Sequence, residues 1–485
     1  MTETTQSTLS DAGDEKLRMY GGMGTLFIPF AIMIIGIAIF ALQGAALPQA
    51  YWVVTLAAIL VGLVLSKKAS VYIDALIGGI ANTMLGVILL AWFLAGVLGM
   101  LLRTAGLVDG LAWAAIQLGI GAAWFPLIVF FVSCLLSLAT GTALGTIFAV
   151  TPTLFFAGFA VGADAFLLVG AIVGGAFFGN NIAPVSDTTI VSAYSQGTTV
   201  TKVVKTRLPY AAVAIVITTV IYVILALFAD SGAQVTELEG EVQPRSLIML
   251  IVPVLLITLM FFGRHFVEAL LYSIVFGLIL GLAIGVLDPA QIFNVDAEGL
   301  TAGGVIIDGI SGTLGVVVFT ILLMALIGTL QRGGVIQWLL DKTEKFATTP
   351  RRSELTIVGV VLLVNALVAA GTPAMVMVGP YVRRVGFKAG LAPWRRANLL
   401  DGASTTLVAF LPYSVAILIP YSIVLDTVIE AGIANFSPVT LMFSVIYCWI
   451  LMFVIIFAAA SGWRREFSTP EQLAQEVTML EKEAA

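Results

Sequence analysis

The sequence predicts an all-α polytopic membrane protein of about 10–12 transmembrane helices, with two pseudo-repeats containing broken helices or re-entrant hairpins. Three observations predict it. Hydrophobic residues make up 60% of the chain and charged residues 11%, with a mean hydropathy of +1.08, whereas globular domains carry about 25% charge. Uncharged stretches at 83–102, 208–229, 246–263, 313–330 and 437–460 approach or exceed the roughly 18 apolar residues that a membrane helix needs. At two places a long apolar run is interrupted by Gly, Thr and Pro followed by polar side chains.

Residues 1–20 are polar and acidic, without the basic region and cleavage site of a signal peptide. The first apolar segment, 25–42, is therefore expected to stay as a helix. The membrane-spanning domain is expected over 21–463, between cytoplasmic tails at 1–20 and 464–485. Cys134 and Cys448 fall in apolar runs, so neither a disulfide nor a thiolate metal site is expected. No basic tract interleaved with aromatics points to nucleic acid.

Lys and Arg concentrate at 67–68, 202–207, 332–352, 383–396 and 464–465. The positive-inside rule assigns these loops to the cytoplasm. The segments 43–50, 230–243, 288–308 and 426–436 lack Lys and Arg and belong outside. From Leu208 onward, helices near 208–229, 246–263, 266–287, 313–331, 405–425 and 438–460 alternate to a cytoplasmic C-terminus. A cell (inner) membrane protein with both termini cytoplasmic follows.

Between Lys68 and Lys202 the apolar runs near 75–102, 107–120, 123–140, 147–162 and 165–179 are odd in number, although both ends read as cytoplasmic. At least one run cannot cross. A similar tension lies between Arg352 and Arg383, where apolar residues from 355 to 371 meet Thr372-Pro373. A re-entrant hairpin or broken helix fits both places, and such backbone survives at membrane depth only against protein or a wet cavity. The first half, about 66–207, offers Thr140 to Thr146 and then Asn180 to Thr189. The second, about 313–425, offers Asn365, Gly371-Thr372-Pro373 and then Asp401 to Thr406. Paired interruptions in two halves point to a transporter site at the repeat interface.

Asp187 is the residue to explain. From Gly110 to Thr201 the only charged side chains are Asp164 and Asp187, and an acid inside a bilayer reads as functional. With Asn180, Asn181, Ser186, Thr188 and Thr189 it supplies the hard oxygen ligands that Na⁺ requires. The competing reading is a helix cap, with Ser186-Asp187-Thr188 capping a helix from about Ile190. Thr142 and Thr146 would share one helical face, as ligands or beside packing glycines. Asn365, Thr372, Asp401, Ser404 and Thr405 are the second-half candidates, Asp401 having the alternative of an interfacial acid at a helix N-terminus. His265, beside Arg264 and Glu268, reads as an interfacial pair rather than a relay. Asp164 reads as a turn residue, Arg103 as a partner of Asp109, Asn82 as an interhelical hydrogen bond, and 468–480 as a capped helix in a solvated tail. One histidine and no Walker loop, zinc motif or nucleophile–base set argue against an enzyme. No cofactor is expected beyond sodium as transported or coupling ion.

At Gly141-Thr-Ala-Leu-Gly-Thr146 and Gly175-Ala-Phe-Phe-Gly-Asn-Asn-Ile-Ala-Pro-Val-Ser-Asp-Thr-Thr189 the chain resembles the NhaC family of sodium/proton antiporters. The resemblance implies a two-repeat transporter that exchanges Na⁺ for protons, or couples an ion gradient to a small organic solute such as a carboxylate or amino acid. The family often has an acid after the Phe-Gly, where this chain has Asn180. That departure favours the organic-solute alternative, since the family includes malate/lactate exchangers. A passive channel is the reading from another class, because polar interruptions at midplane also suit a filter. The expected partners are a small ion or solute and the lipid bilayer, and a homodimer is compatible with the sequence.

Overall fold

The computed structural model describes residues 15–43, 48–81, 83–107, 110, 113, 121–228, 244–296, 301–473 and 476. Asn82, Asp109, residues 1–14 and 229–243, most of the run 107–120, and most of 474–485 lie outside the described residues. Eleven described helices are long and apolar enough to cross a membrane, or twelve if a bent pair counts as one span. The chain is a polytopic all-α membrane protein; its only described strands form the hairpin Asn294–Asp296 with Thr301–Gly303.

The early helices are α1 (Phe27–Leu42), α2 (Pro48–Leu65), α3 (Ala69–Ile80) and α4 (Thr83–Thr104). The predicted run 75–102 is thus two helices. Then come α5 (Phe125–Thr140), α6 (Ala143–Val150), α7 (Phe156–Ala160), α8 (Ala165–Ile182), α9 (Asp187–Ser195) and α10 (Val200–Phe228). A π-turn at Thr151–Phe155 joins α6 to α7 where Pro152 removes a backbone donor. The middle of the chain forms α11 (Ile251–Phe261), α12 (Phe266–Ala283), α13 (Pro289–Ile292), α14 (Val305–Arg332) and α15 (Val335–Thr343). The last group is α16 (Pro350–Val368), α17 (Gly371–Lys388), α18 (Pro393–Phe410), α19 (Val415–Glu430), α20 (Pro438–Ser444) and α21 (Ile446–Ser461), the final two bent by 65°. The single helix expected over 405–425 is therefore broken: Pro412 removes a backbone donor between α18 and α19, and the chain stays non-helical over 411–414.

The chain forms two compact units, Met1–Leu89 with Leu314–Lys342, and Leu90–Thr313 with Thr343–Ala485. In the first, Gly79 and Gly328 bring backbones together; a Cβ on Gly79 would lie 2.1 Å from the Met324 carbonyl oxygen, so only glycine admits this crossing. Trp52 donates its indole N–H to the Gly315 carbonyl at 2.7 Å.

The second unit contains the repeat. Helix α5 ends at left-handed Gly141, α6 begins after Thr142, left-handed Gly162 leads into α8, and α8 stops at Ala183-Pro184-Val185-Ser186 before α9. Helix α16 ends at left-handed Ala369, α17 follows, left-handed Gly390 leads into α18, and α18 stops at Leu411-Pro412-Tyr413-Ser414 before α19. Ala369 lies 228 positions beyond Gly141, Gly390 the same distance beyond Gly162, and Ser414 the same beyond Ser186. Each repeat is therefore a helical hairpin plus a broken helix. Asn180–Thr189 does not correspond to Asp401–Thr406, as the sequence pattern suggested, but to the break after Phe410.

The repeats run in opposite senses. The start of α8 packs Phe166 against Phe436, whose ring stacks on Tyr421 beyond the end of α18. The end of α8 and the first turns of α18 share one partner, Arg207 of α10.

Candidate functional site

At the first break, Pro184 cannot donate a helical hydrogen bond, so the chain leaves the helix after Ile182 and resumes it at Asp187. Ser186 occupies the N-cap position of α9 but makes no capping bond. Its hydroxyl donates to Asn180 Oδ1 at 2.9 Å and lies 2.9 Å from Thr188 Oγ1, which also accepts from Asn180 Nδ2 at 3.3 Å. Asn180, Ser186 and Thr188 are buried. The helix-cap reading is thus half right: a helix starts here, but the hydroxyl serves the cluster.

Asp187 stands in the first turn of α9, where the helix dipole favours an anion. Its side chain is exposed, and Oδ2 accepts a 2.6 Å hydrogen bond from the Thr372 hydroxyl. Thr372 lies in the first turn of α17, just past the tip of the second hairpin. The carboxylate therefore joins the break of one repeat to the hairpin of the other. An acid cannot face hydrocarbon cheaply, so exposure of this carboxylate requires water or headgroups beside it. The tip of the first hairpin closes in from the other side: a Cβ on left-handed Gly141 would meet Val185 Cγ2 at 2.7 Å.

A second cluster lies deeper. Asp401 and Arg207 are both buried and form a 2.6 Å ion pair. Arg207 also donates to the Asn181 carbonyl (2.6 Å), Thr189 Oγ1 (3.1 Å) and Asn398 Oδ1 (3.0 Å), and Ser192 donates to Asp401 Oδ2 (3.2 Å). Asp401 Oδ1 and Asn181 Oδ1 are buried without a hydrogen-bond partner. This corrects two readings. Arg207 is no cytoplasmic loop residue, and Asp401 is no interfacial acid but a buried carboxylate within α18. Thr405 donates to the Asp401 carbonyl at 2.8 Å, the back-bond of a helix-interior threonine.

The second hairpin carries a third group. Ser404 donates to Asn365 Oδ1 at 3.0 Å and to the Gly371 carbonyl at 3.2 Å. In the first repeat Ser137 donates to the Ala176 carbonyl at the corresponding place. The likeness reads this group as hairpin packing. Thr142 is not on a helix face but at an N-cap, accepting from the Gly145 amide at 3.2 Å, while Thr146 is buried with a free hydroxyl. One helical turn separates them, the Thr146 amide donating to the Thr142 carbonyl at 3.3 Å.

The fold also gives partners to Arg103, His265 and the turn residue Asp164. Arg103 pairs with Glu430. Arg264 pairs with Glu268 at 3.0 Å, while His265 caps α12 by accepting from Val267. Asp164 caps α8, accepting from Leu167. The tail is not simply solvated: Glu476 is buried and pairs with Arg396 at 2.9 Å and Arg383 at 3.2 Å.

Sequence reasoning missed Arg207, Ser192 and Asn398. A signal existed for Arg207, because Val203, Arg207, Tyr210, Ala214, Thr218 and Tyr222 follow one buried helical stripe of α10.

Comparison with known proteins places the sequence in a family. The family model described as the Na+/H+ antiporter family matches residues 16–227 and 241–459. The chain is 21% identical to an uncharacterized Na(+)/H(+) antiporter of Haemophilus influenzae, over 90% of this chain and 95% of the relative. It is 24% identical to the Na(+)/H(+) antiporter NhaC of Alkalihalophilus pseudofirmus, over 60% of this chain and 66% of that one. A malate-2H(+)/Na(+)-lactate antiporter of Bacillus subtilis is 25% identical over 64% of this chain and 68% of the relative. Among solved structures, Neisseria gonorrhoeae MtrF is similar at a TM-score of 0.36 and 12% identity, over 90% of this chain and 97% of that one. The family match spans both repeats and most of the chain, which belongs to the Na+/H+ antiporter family.

Proposed function

We propose that this chain is a sodium/proton antiporter of the cell membrane, working by alternating access, with both termini cytoplasmic. Na⁺ and H⁺ would compete for Asp187. The carrying observation is the exposed Asp187 carboxylate, bonded to Thr372 across the repeat interface and standing beside the buried Asn180, Ser186 and Thr188 cluster. A carboxylate, hydroxyls and an amide oxygen are hard donors suited to Na⁺. One carboxylate free of any cationic partner among the described residues suits a one-for-one exchange, because it is neutralised either by Na⁺ or by a proton. Asp401 cannot serve equally, since Arg207 already balances its charge. Thr189 and Asn181 belong to that pair, and Asn365 and Ser404 to the hairpin scaffold.

A second reading is sodium-coupled movement of a small carboxylate. Asn180 is an amide, so the site offers a bound Na⁺ a single negative charge, and a solute carboxylate could supply another. The name of the Bacillus subtilis relative makes malate and lactate the first solutes to try.

The test is transport in proteoliposomes with Na⁺ and pH gradients imposed separately. Uphill proton movement driven by Na⁺ alone, with no organic solute, is expected, and a passive channel cannot produce it. Sodium flux that requires malate or lactate would replace antiport with the second reading. Asp187→Asn should abolish exchange in either case.

A further inference from the structure

An apolar groove of about 400 Å³ runs between α10 and α21, lined by Val213, Ile217, Ile450, Phe453, Phe457 and Trp463 with Val454 as its floor. Trp463 closes one end, its ring meeting Tyr210 edge-on at 5.1 Å. That end is basic. Arg464 follows Trp463 directly, and Lys205 stands two helical turns before Val213, about 12 Å along α10. Both cations are exposed, and neither has a hydrogen-bond or ion-pair partner among the described residues. Lys202, one turn earlier, lies over the Trp394 ring at 4.4 Å.

We propose that this groove binds one anionic phospholipid, an acyl chain lying between α10 and α21 and the phosphate held by Lys205 and Arg464. The groove alone gives no preference, because lipid tails are as apolar as the side chains they touch. Its shape holds a chain in place, and discrimination comes from the two unpaired cations at the rim, where each basic residue near the surface favours anionic lipid by ~1 kcal/mol, about fivefold. Trp463 follows the end of α21 by two residues, and amphipathic rings at the ends of membrane helices favour the headgroup level. A second copy of the chain fits less well, since a two-fold contact would bring the same cationic rims together.

The test uses the full chain in nanodiscs of phosphatidylcholine, with or without phosphatidylglycerol of the same acyl chains, and native mass spectrometry of the retained lipid. The unaltered protein should retain one phosphatidylglycerol in preference to phosphatidylcholine. Lys205→Gln and Arg464→Gln should each reduce that preference about fivefold. Val454→Phe, which fills the floor, should release the lipid while both cations remain. Equal retention of the two lipids, a preference that survives both Gln substitutions, or a protein dimer in place of the lipid would each overturn the proposal. Both Gln substitutions are on exposed side chains, so retained thermal stability separates lost binding from lost fold.

Discussion

Asp187 and Asp401 show how one side-chain type serves two ends. Asp187 is exposed and bonded only to a hydroxyl, so Asp187→Asn should leave detergent stability within about 0.5 kcal/mol, as for most surface changes, while abolishing sodium-dependent transport. Robust sodium coupling in that variant would remove Asp187 from the mechanism. Asp401 is fully buried against Arg207. Breaking such a pair from one side leaves an uncompensated charge at a cost of ~3–5 kcal/mol. Asp401→Asn and Arg207→Gln should each lower the unfolding temperature sharply, and the combined Arg207→Met, Asp401→Leu variant should recover most of it. If the double variant is no better than the singles, the pair is not what the singles disrupt.

The two broken helices are equivalent in geometry and unlike in chemistry. Val408, Val415 and Ala416 stand where the first repeat has Asn180, Asp187 and Thr188. Pro412 and Ser414 match their counterparts, Pro184 and Ser186, but of the polar cluster Ser414 alone is kept. Val415 cannot replace a carboxylate, so the second break lacks the donors a cation needs. One Na⁺ per transport cycle is therefore expected. Sodium titration by calorimetry should give a stoichiometry of one and no binding in Asp187→Asn; two sites of comparable affinity would show that the second break, or the Asp401 cluster, also binds.

For the whole molecule, the sense of insertion follows from where Lys and Arg collect. Thr348 lies beside Arg351 and Arg352, whereas Ala434 lies in an exposed turn between α19 and α20 without basic residues. In intact cells a cysteine at position 434 should react with an impermeant maleimide, and one at 348 should react only after permeabilisation. The native cysteines do not interfere, being buried. The reverse labelling pattern would invert the proposed topology and place the tail and Arg396–Glu476 outside.

Composition and apolar run length determined by themselves that this is a many-helix membrane protein, because a bilayer requires about twenty apolar residues per span whatever the fold. The Asn-Asn-Pro-Ser-Asp segment likewise announced a break with a carboxylate, since proline and a lone acid are costly there under any packing. The partner of Asp187 was not legible. Thr372 is 185 positions away, and no local periodicity encodes which hairpin tip meets which break. Nor was the true repeat: the second break carries Val and Ala where the first carries Asn, Asp and Thr, so a search for matching polar residues stopped at Asp401. Arg207 and the arginines at 395 and 396 looked like loop charges because the positive-inside rule reads only position along the chain. Tertiary packing decided that they turn inward, where Asp401, Glu354 and Glu476 balance their charge, and it alone could supply those partners from distant parts of the sequence.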